Sequence, residues 1–312
     1  MTAVTPDPTP PLDDLFLVVY CLVDDLYRTL VPAAVRLRPG HGRMKLSDPE
    51  VLTLSVMQEA LSADSEASFV RSMRRNRPGL FPGLLSRSRY HRRRKALVGV
   101  HQALVGVHQA LFAHLAAGFA EHARWLTVDS APVETTKVER SQTGAASIPE
   151  AAYHVRAARK QLFFGLRLHA VVTDEGAVVE FALAPADEGE RAVAEGMLAA
   201  VGPASSGLVL GDNNYCGPSF EAAAARRGHR AATSPRRTDA DRASRLWVRG
   251  PRALVETVFG MLADQFCAER TRARSLLGVW TRMVAKVFAF DLSLHINALL
   301  GRPVLAVKSL YA

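Results

Sequence analysis

A chain of 312 residues with 48% hydrophobic content holds enough apolar material for one large or two ordinary domains, which excludes a disordered or fibrous protein. Lys and Arg outnumber Asp and Glu by 39 to 30, and the net charge of +9 points to a polyanionic partner. Cys21, Cys216 and Cys267 lie too far apart for a zinc spacing or a disulfide framework, so a reducing cytoplasm is expected.

The N-terminal stretch MTAVTPDPTPPLDD is acidic and proline-rich, unlike a signal peptide, and is expected to be disordered over residues 1–11. The apolar stretch 15–23 sits between aspartate pairs and is too short to cross a bilayer, so no membrane partner is expected. Residues 12–122 read as an all-helical domain. Within it Ser47-Asp48-Pro49-Glu50 has the form of a helix cap ahead of Val51, Leu52, Leu54, Val56 and Met57. Turns containing Pro and Gly between residues 77 and 83 divide the helices. Ala96-Leu-Val-Gly-Val-His-Gln102 is followed at once by an identical copy, residues 103–109. Seven residues are close to two turns, so a helix can absorb the copy with a drift of about 20° in its apolar face. His101 and His108 are then copies of one histidine rather than a metal site.

From residue 123 to 312 the texture becomes mixed. Residues 125–128 read as a strand, and 163–172 and 177–183 as a hairpin turning at Thr173-Asp-Glu-Gly176. A helix over 190–201, a strand at 208–210, a helix at 220–227, a strand at 230–233 and helices over 252–300 follow. Three hairpin-linked strands and then alternating β and α give the element order of an RNase H-like α/β fold. That fold is a mixed sheet with flanking helices, here preceded by the helical N-terminal domain.

Three acids stand out. Asp129 ends the run Trp125-Leu126-Thr127-Val128, Asp212 ends Leu208-Val209-Leu210-Gly211, and Glu256 lies in the helical pattern Leu254-Val255-Glu256-Thr257-Val258-Phe259. In an RNase H-like sheet the strands before Asp129 and Asp212 are neighbours. A third acid on a later helix could then join them. Glu256 sits at the margin of a stripe formed by Val255, Val258, Phe259, Leu262 and Phe266, beside small Gly260 and Ala263. Clustered carboxylates repel unless a cation lies between them, and oxygen-only ligands favour Mg²⁺ or Mn²⁺. Taken singly, a strand-end aspartate is more often a turn former, and Glu256 is most simply a surface partner of Arg252. Asp264 and Glu269 are rivals for the third place.

Thr127-Val-Asp-Ser130, Phe163-Phe-Gly-Leu-Arg-Leu-His169, Gly211-Asp-Asn-Asn-Tyr215 and Arg252-Ala-Leu-Val-Glu-Thr-Val-Phe259 together resemble the DDE transposases of bacterial insertion sequences. The resemblance is greatest to their nine-eighty-two family. It implies that Asp129, Asp212 and Glu256 form a catalytic triad binding two Mg²⁺ or Mn²⁺ ions, which cut DNA and transfer the freed 3′ end. It also implies that Tyr215 and Arg252 match the family's tyrosine and basic residue near DNA. Arg167 and His169 alternate on one strand face and can touch substrate or support the acids. Arg89, Arg92, Arg93, Arg94 and Lys95, in the run that starts at Arg87, are expected to hold DNA phosphates. Arg71, Arg74, Arg75 and Arg77 form a second cluster, and Arg236, Arg237, Arg242, Arg245 and Arg249 a third. The expected partners are double-stranded DNA, comprising terminal inverted repeats and target, and a second copy of the chain.

Two departures weigh on activity. Asn213-Asn214 replaces the family's Lys-Gly, and Asp187-Glu188-Gly189-Glu190 stands where the family has His-Asp. The same residues suit two other readings: a nuclease that cuts without joining, or a DNA-binding derivative that has lost catalysis.

Overall fold

The structure, a computed structural model, describes residues 9–63, 65–100, 106–142, 148–156, 160–201, 207–233 and 242–311, with backbone alone at 99–100, 242–249 and 251. The expected disorder of the N-terminus and Arg236 and Arg237 therefore lie largely or wholly outside the described residues, as do the side chains of Arg242, Arg245 and Arg249. Two compact units form: Met1–Phe112 with Gln265–Cys267 and Thr281–Ala312, and Ala113–Asp264 with Ala268–Trp280. The C-terminal segment thus belongs to the first unit, whereas its sequence position placed it with the sheet.

The first unit holds helices α1 (Leu12–Leu30), α2 (Ala33–Arg36), α3 (Asp48–Ala60), α4 (Glu66–Asn76) and α5 (Arg87–Lys95). It also takes the start of α6 (Val107–His122) and most of α11 (Leu276–Leu299). Helix α1 buries one stripe, Leu15, Phe16, Val19, Val23 and Tyr27, at helical spacing. Helix α3 starts where the cap predicts: Ser47 Oγ accepts from Glu50 N at 3.3 Å, and Ser47 N donates to Glu50 Oε2 at 2.6 Å. Every residue of α3 from Val51 to Ala60 is buried, polar ones included. Glu59 therefore meets Arg94, Arg282 and Lys286 inside the unit, and their charges hold its carboxyl far below the usual range although burial alone would raise it.

The duplicated heptad does not simply lengthen an α-helix. Ala96–Val100 forms a π-helical turn, and Gly106 takes φ +77° just before α6. A wide turn and a left-handed glycine take up chain that a continuous helix would have to accommodate in its packing. His101 lies outside the described residues. His108 is a core residue, edge-on to Phe288 at 5.4 Å, and burial pushes its pKa down to about 3.

The second unit is built on a six-stranded mixed sheet. Its elements are β1 (Leu126–Thr136), α7 (Val138–Gln142), β2 (Ala152–Arg156), β3 (Gln161–Thr173), β4 (Val178–Pro185), α8 (Glu190–Ala200), β5 (Leu208–Gly211), α9 (Pro218–Ala225), β6 (Arg230–Thr233) and α10 (Arg242–Asp264). Central β1 pairs antiparallel with β3 and parallel with β5, and β5 pairs parallel with β6. The outer edge of β3 is shared between β2 and β4. With α8 on β3 and β4, and α10 on β1 and β5, this is the RNase H-like arrangement that the element order predicts. The turn at Thr173 also forms as read, closed by Thr173 N donating to Ala177 O at 2.8 Å.

Strand β1 is longer than its apolar run. Ser130 to Glu134 continue in register with His169 to Gly165, and Thr136 pairs with Phe164 after a register shift, so Asp129 sits inside the strand rather than at its end. It is nevertheless at an end in another sense, because pairing with β5 stops at Thr127↔Leu210. Strand β2 gave no sequence signal, since its Tyr153 and Val155 are apolar yet exposed on a sheet edge. No helix among the described residues is long and apolar enough to cross a membrane.

Candidate active site

Parallel pairing of β1 with β5 brings Asp129 and Asp212 to one corner of the sheet. Asp212 follows β5 directly and caps the turn Asn213–Tyr215, its Oδ1 accepting from Asn214 N at 2.8 Å. That turn folds Tyr215 back against the strand. A Cβ on Gly211 would come within 2.9 Å of the Tyr215 Cβ, so glycine is required there. The Tyr215 ring is fully buried beside Phe220, at 5.7 Å between centroids, and its hydroxyl has no hydrogen-bond partner among the described residues.

The electrostatics are those of two acids with too little positive charge. Burial raises the Asp129 pKa to about 6; the Ser130 N–H, 2.8 Å from its Oδ1, opposes this and the Asp212 charge adds to it. Asp212 is raised as well, first by burial and then by Glu190. Arg252 on α10 lowers both acids only in part. The Tyr215 hydroxyl is pushed well above its usual pKa by burial and by the charges of Asp129, Glu190 and Asp212.

Glu190 is the residue that sequence reasoning missed. It stands in the first turn of α8 and takes three partners: an ion pair with Arg167, Ser130 Oγ at 3.3 Å and Asn214 Nδ2 at 3.1 Å. Arg167 also donates to Ser130 Oγ at 2.7 Å, and Asn214 Nδ2 reaches Asp212 Oδ2 at 3.4 Å. One carboxylate thus ties together β1, β3 and the turn after β5. The available signal was the acid-rich Asp187-Glu188-Gly189-Glu190 ahead of a helix, which registered only as a departure from the family pattern. Asn214, read as a loss, has a role in the same network.

The remaining expected residues fall in different places. Arg167 and His169 do share a face with Ser130, since Ser130↔His169 and Pro132↔Arg167 are register partners. Yet His169 is fully buried, with no hydrogen-bond partner for either ring nitrogen among the described residues, and burial and Arg167 push its pKa down to about 4. It therefore cannot meet DNA. Glu256 has a side chain 66% exposed and lies 3.8 Å from Arg252, one turn earlier on α10. Asp264 is exposed on the same helix, and Glu269 is paired with Arg156 at 3.1 Å. In the first unit Arg94 is 2% exposed and bound to Glu59 and Glu66, so it is not a DNA contact. Arg93 pairs with Asp48 at 2.5 Å. Arg89 and Arg92 are exposed and Lys95 is half-buried.

An all-oxygen pair of adjacent, hard-to-ionise carboxylates suits a hard divalent cation. Asp129 and Asp212 fit that requirement. The third position does not come with them: no trio of His, Cys, Asp and Glu among the described residues is placed to hold a metal ion. Glu190, the acid nearest in effect, is engaged by Arg167.

Comparison with known families matches residues 123–292 to the transposase DDE domain, just over half of the chain. Comparison with curated proteins returned no match. Among solved structures, the cryo-EM structure of a piggyBac transposase synaptic complex with hairpin DNA is similar at 11% identity and a TM-score of 0.46. That likeness covers 99% of this chain and 81% of the other.

Proposed function

The chain belongs to the transposase DDE domain family, and on that premise we propose that it is an insertion-sequence transposase acting on the terminal inverted repeats of its own element. The observation that carries the reading is the placement of Asp129 on β1 and of Asp212 directly after its parallel neighbour β5, with both acids raised in pKa, first by burial. The finer kinship with the nine-eighty-two family rests on the order of the four motifs.

In this reading Asp129 and Asp212 hold the metal, and Glu256, from its position in the motif order, completes the ligand set when DNA is bound. Divalent cations held there would supply the Lewis acidity that activates the attacking water or 3′ hydroxyl and offsets charge on the leaving oxygen. The chain's own residues do the rest. Arg252 sits close enough to act on both aspartates and contacts the scissile phosphate. Tyr215 buttresses the Asp212 turn with its buried ring rather than touching DNA itself. The Glu190 network fixes Ser130, Arg167 and Asn214, which sets the direction of both aspartates. Arg89, Arg92 and Lys95 bind the DNA ends as a phosphate-facing stretch, and two copies of the chain bring two ends together.

Labelled inverted-repeat ends, target DNA and Mg²⁺ or Mn²⁺ incubated with the purified protein test this. Joined product, abolished by Asp129→Ala and by Asp212→Ala, supports the proposal. Cleavage without joining identifies a nuclease. Salt-sensitive binding that Asp129→Ala leaves intact, with no metal-dependent cleavage by the wild type, identifies a derivative that only binds DNA. The exposed position of Glu256 makes that last outcome the one to examine first.

A further inference from the structure

We propose that a cationic cleft at the far end of β1 is a second DNA subsite, gripping the phosphate backbone of the flank beside the scissile bond; this deepens the transposase reading and rests on it. The cleft has a volume of roughly 440 Å³ and lies wholly within the second unit. Lys137 and Arg140 line one side, beyond the end of β1, and Arg270, Arg272 and Arg274 line the other. All five side chains belong to solvent-exposed residues. The one acid of the lining, Glu134, is already engaged by Arg270 at 3.2 Å and by Arg156 at 3.7 Å. The cleft therefore faces outward on basic side chains, of which Lys137 and Arg274 make no ion pair among the described residues.

The cleft is built rather than incidental. The 268–275 loop is pinned to β1 by Glu134 N donating to Glu269 O at 2.8 Å. Thr271 is fully buried, and its Oγ1 accepts from Ala273 N at 3.4 Å. Anchoring that residue turns Arg270, Arg272 and Arg274, its neighbours at alternate positions, outward. Arg272 holds φ +55°, a conformation that costs a non-glycine residue energy and persists where the surroundings impose it. Like charges gathered so closely repel one another unless a polyanion lies among them.

Position selects the polyanion. Glu134 to Thr136 lie five to seven residues beyond Asp129 on one continuous strand. At about 3.3 Å per residue the cleft is roughly 20 Å from the aspartates. At 3.4 Å per base pair that is about six base pairs of duplex. DNA with its scissile phosphate at Asp129 and Asp212, and its axis following β1, presents its backbone to this basic lining, Lys137 and Arg274 foremost.

Binding of end duplexes is measured against salt for two substrates, one carrying about ten base pairs on either side of the cleavage point and one cut back to two. Lys137→Ala/Arg274→Ala removes two exposed cations. The long duplex is expected to lose about two in the slope of log K against log salt, at about 0.9 per phosphate contact, and at least tenfold in affinity near physiological salt. The short duplex is expected to be unaffected. An unchanged slope on the long duplex overturns the subsite. Amine-reactive footprinting of Lys137 on the wild type gives a variant-free reading: protection by the long duplex but not the short one supports the proposal, and none by either overturns it. Wild-type protein that binds neither duplex sinks the transposase reading itself, which is a different result from wild-type binding with no response at Lys137.

Discussion

Glu59 in the helical unit and Asp129 in the sheet unit are both acids that folding removes from water, and they are treated in opposite ways. Glu59 is surrounded by Arg94, Arg282 and Lys286, which keep it ionised in the core. Asp129 is raised to about 6 first by burial and then by the charges of Asp212 and Glu190, against which the Ser130 N–H and Arg252 act only in part. The first arrangement is closed within the protein and serves stability. In the second the acids outnumber the cations that act on them, which is what a site for a positively charged ligand needs.

The contrast can be broken at its strongest point first. Glu59→Ala takes the shared carboxylate from buried Arg94 and Lys286 and from half-buried Arg282, and urea denaturation is expected to show a loss of about 3–5 kcal/mol. A loss below about 1 kcal/mol would mean that water, rather than Glu59, satisfies them.

Asp129→Asn is expected to act in the reverse direction. The folded state holds the Asp129 proton up to about pH 6 and the unfolded chain only to about 3.8, so ionisation costs stability as pH rises through that window. The cost approaches about 3 kcal/mol at pH 7, at about 1.4 kcal/mol per pH unit. The variant should therefore be more stable than wild type at pH 7 and equal to it below pH 4, by thermal melts at each pH. Equal stability at both ends would remove the claim that these acids are in conflict.

Mg²⁺ sharpens the same point. At a hundred times its dissociation constant it should stabilise the wild type by about 2.7 kcal/mol, and Asp129→Asn and Asp212→Asn little or not at all. A shift shared equally by the variants would place the ion elsewhere. The smallest expected effect is at Glu256. Its pairing with Arg252 is exposed, so Glu256→Gln should change stability by no more than about 0.5 kcal/mol while abolishing strand joining. Joining that survives in Glu256→Gln would show that the third ligand is another acid.

Much of the fold was legible because its signals are local. Ser47 and Glu50 specify the start of α3 through a cap that four residues complete. The apolar runs before Asp129 and Asp212, and the turn at Thr173, specify strands and a hairpin in an order with few alternatives. The arginine run of α5 was not legible in the same way. Arg92 and Arg94 look alike in sequence, yet one is exposed and the other closes on Glu59, a residue 35 positions away.

The sequence by itself determined the element order, the excess of basic residues and the two aspartates as candidates, since each depends on a residue type and its near neighbours. Only tertiary structure decided that β1 runs on past Asp129, that His169 and Arg94 are buried, and that Glu190 joins Arg167, Ser130 and Asn214 at the aspartates. It also decided that Lys137 and Arg140 face Arg270, Arg272 and Arg274 across one cleft. The reason is physical: burial, pKa and ion pairing depend on which charges strand pairing and helix packing bring within a few ångströms, and those charges lie tens to hundreds of residues apart along the chain.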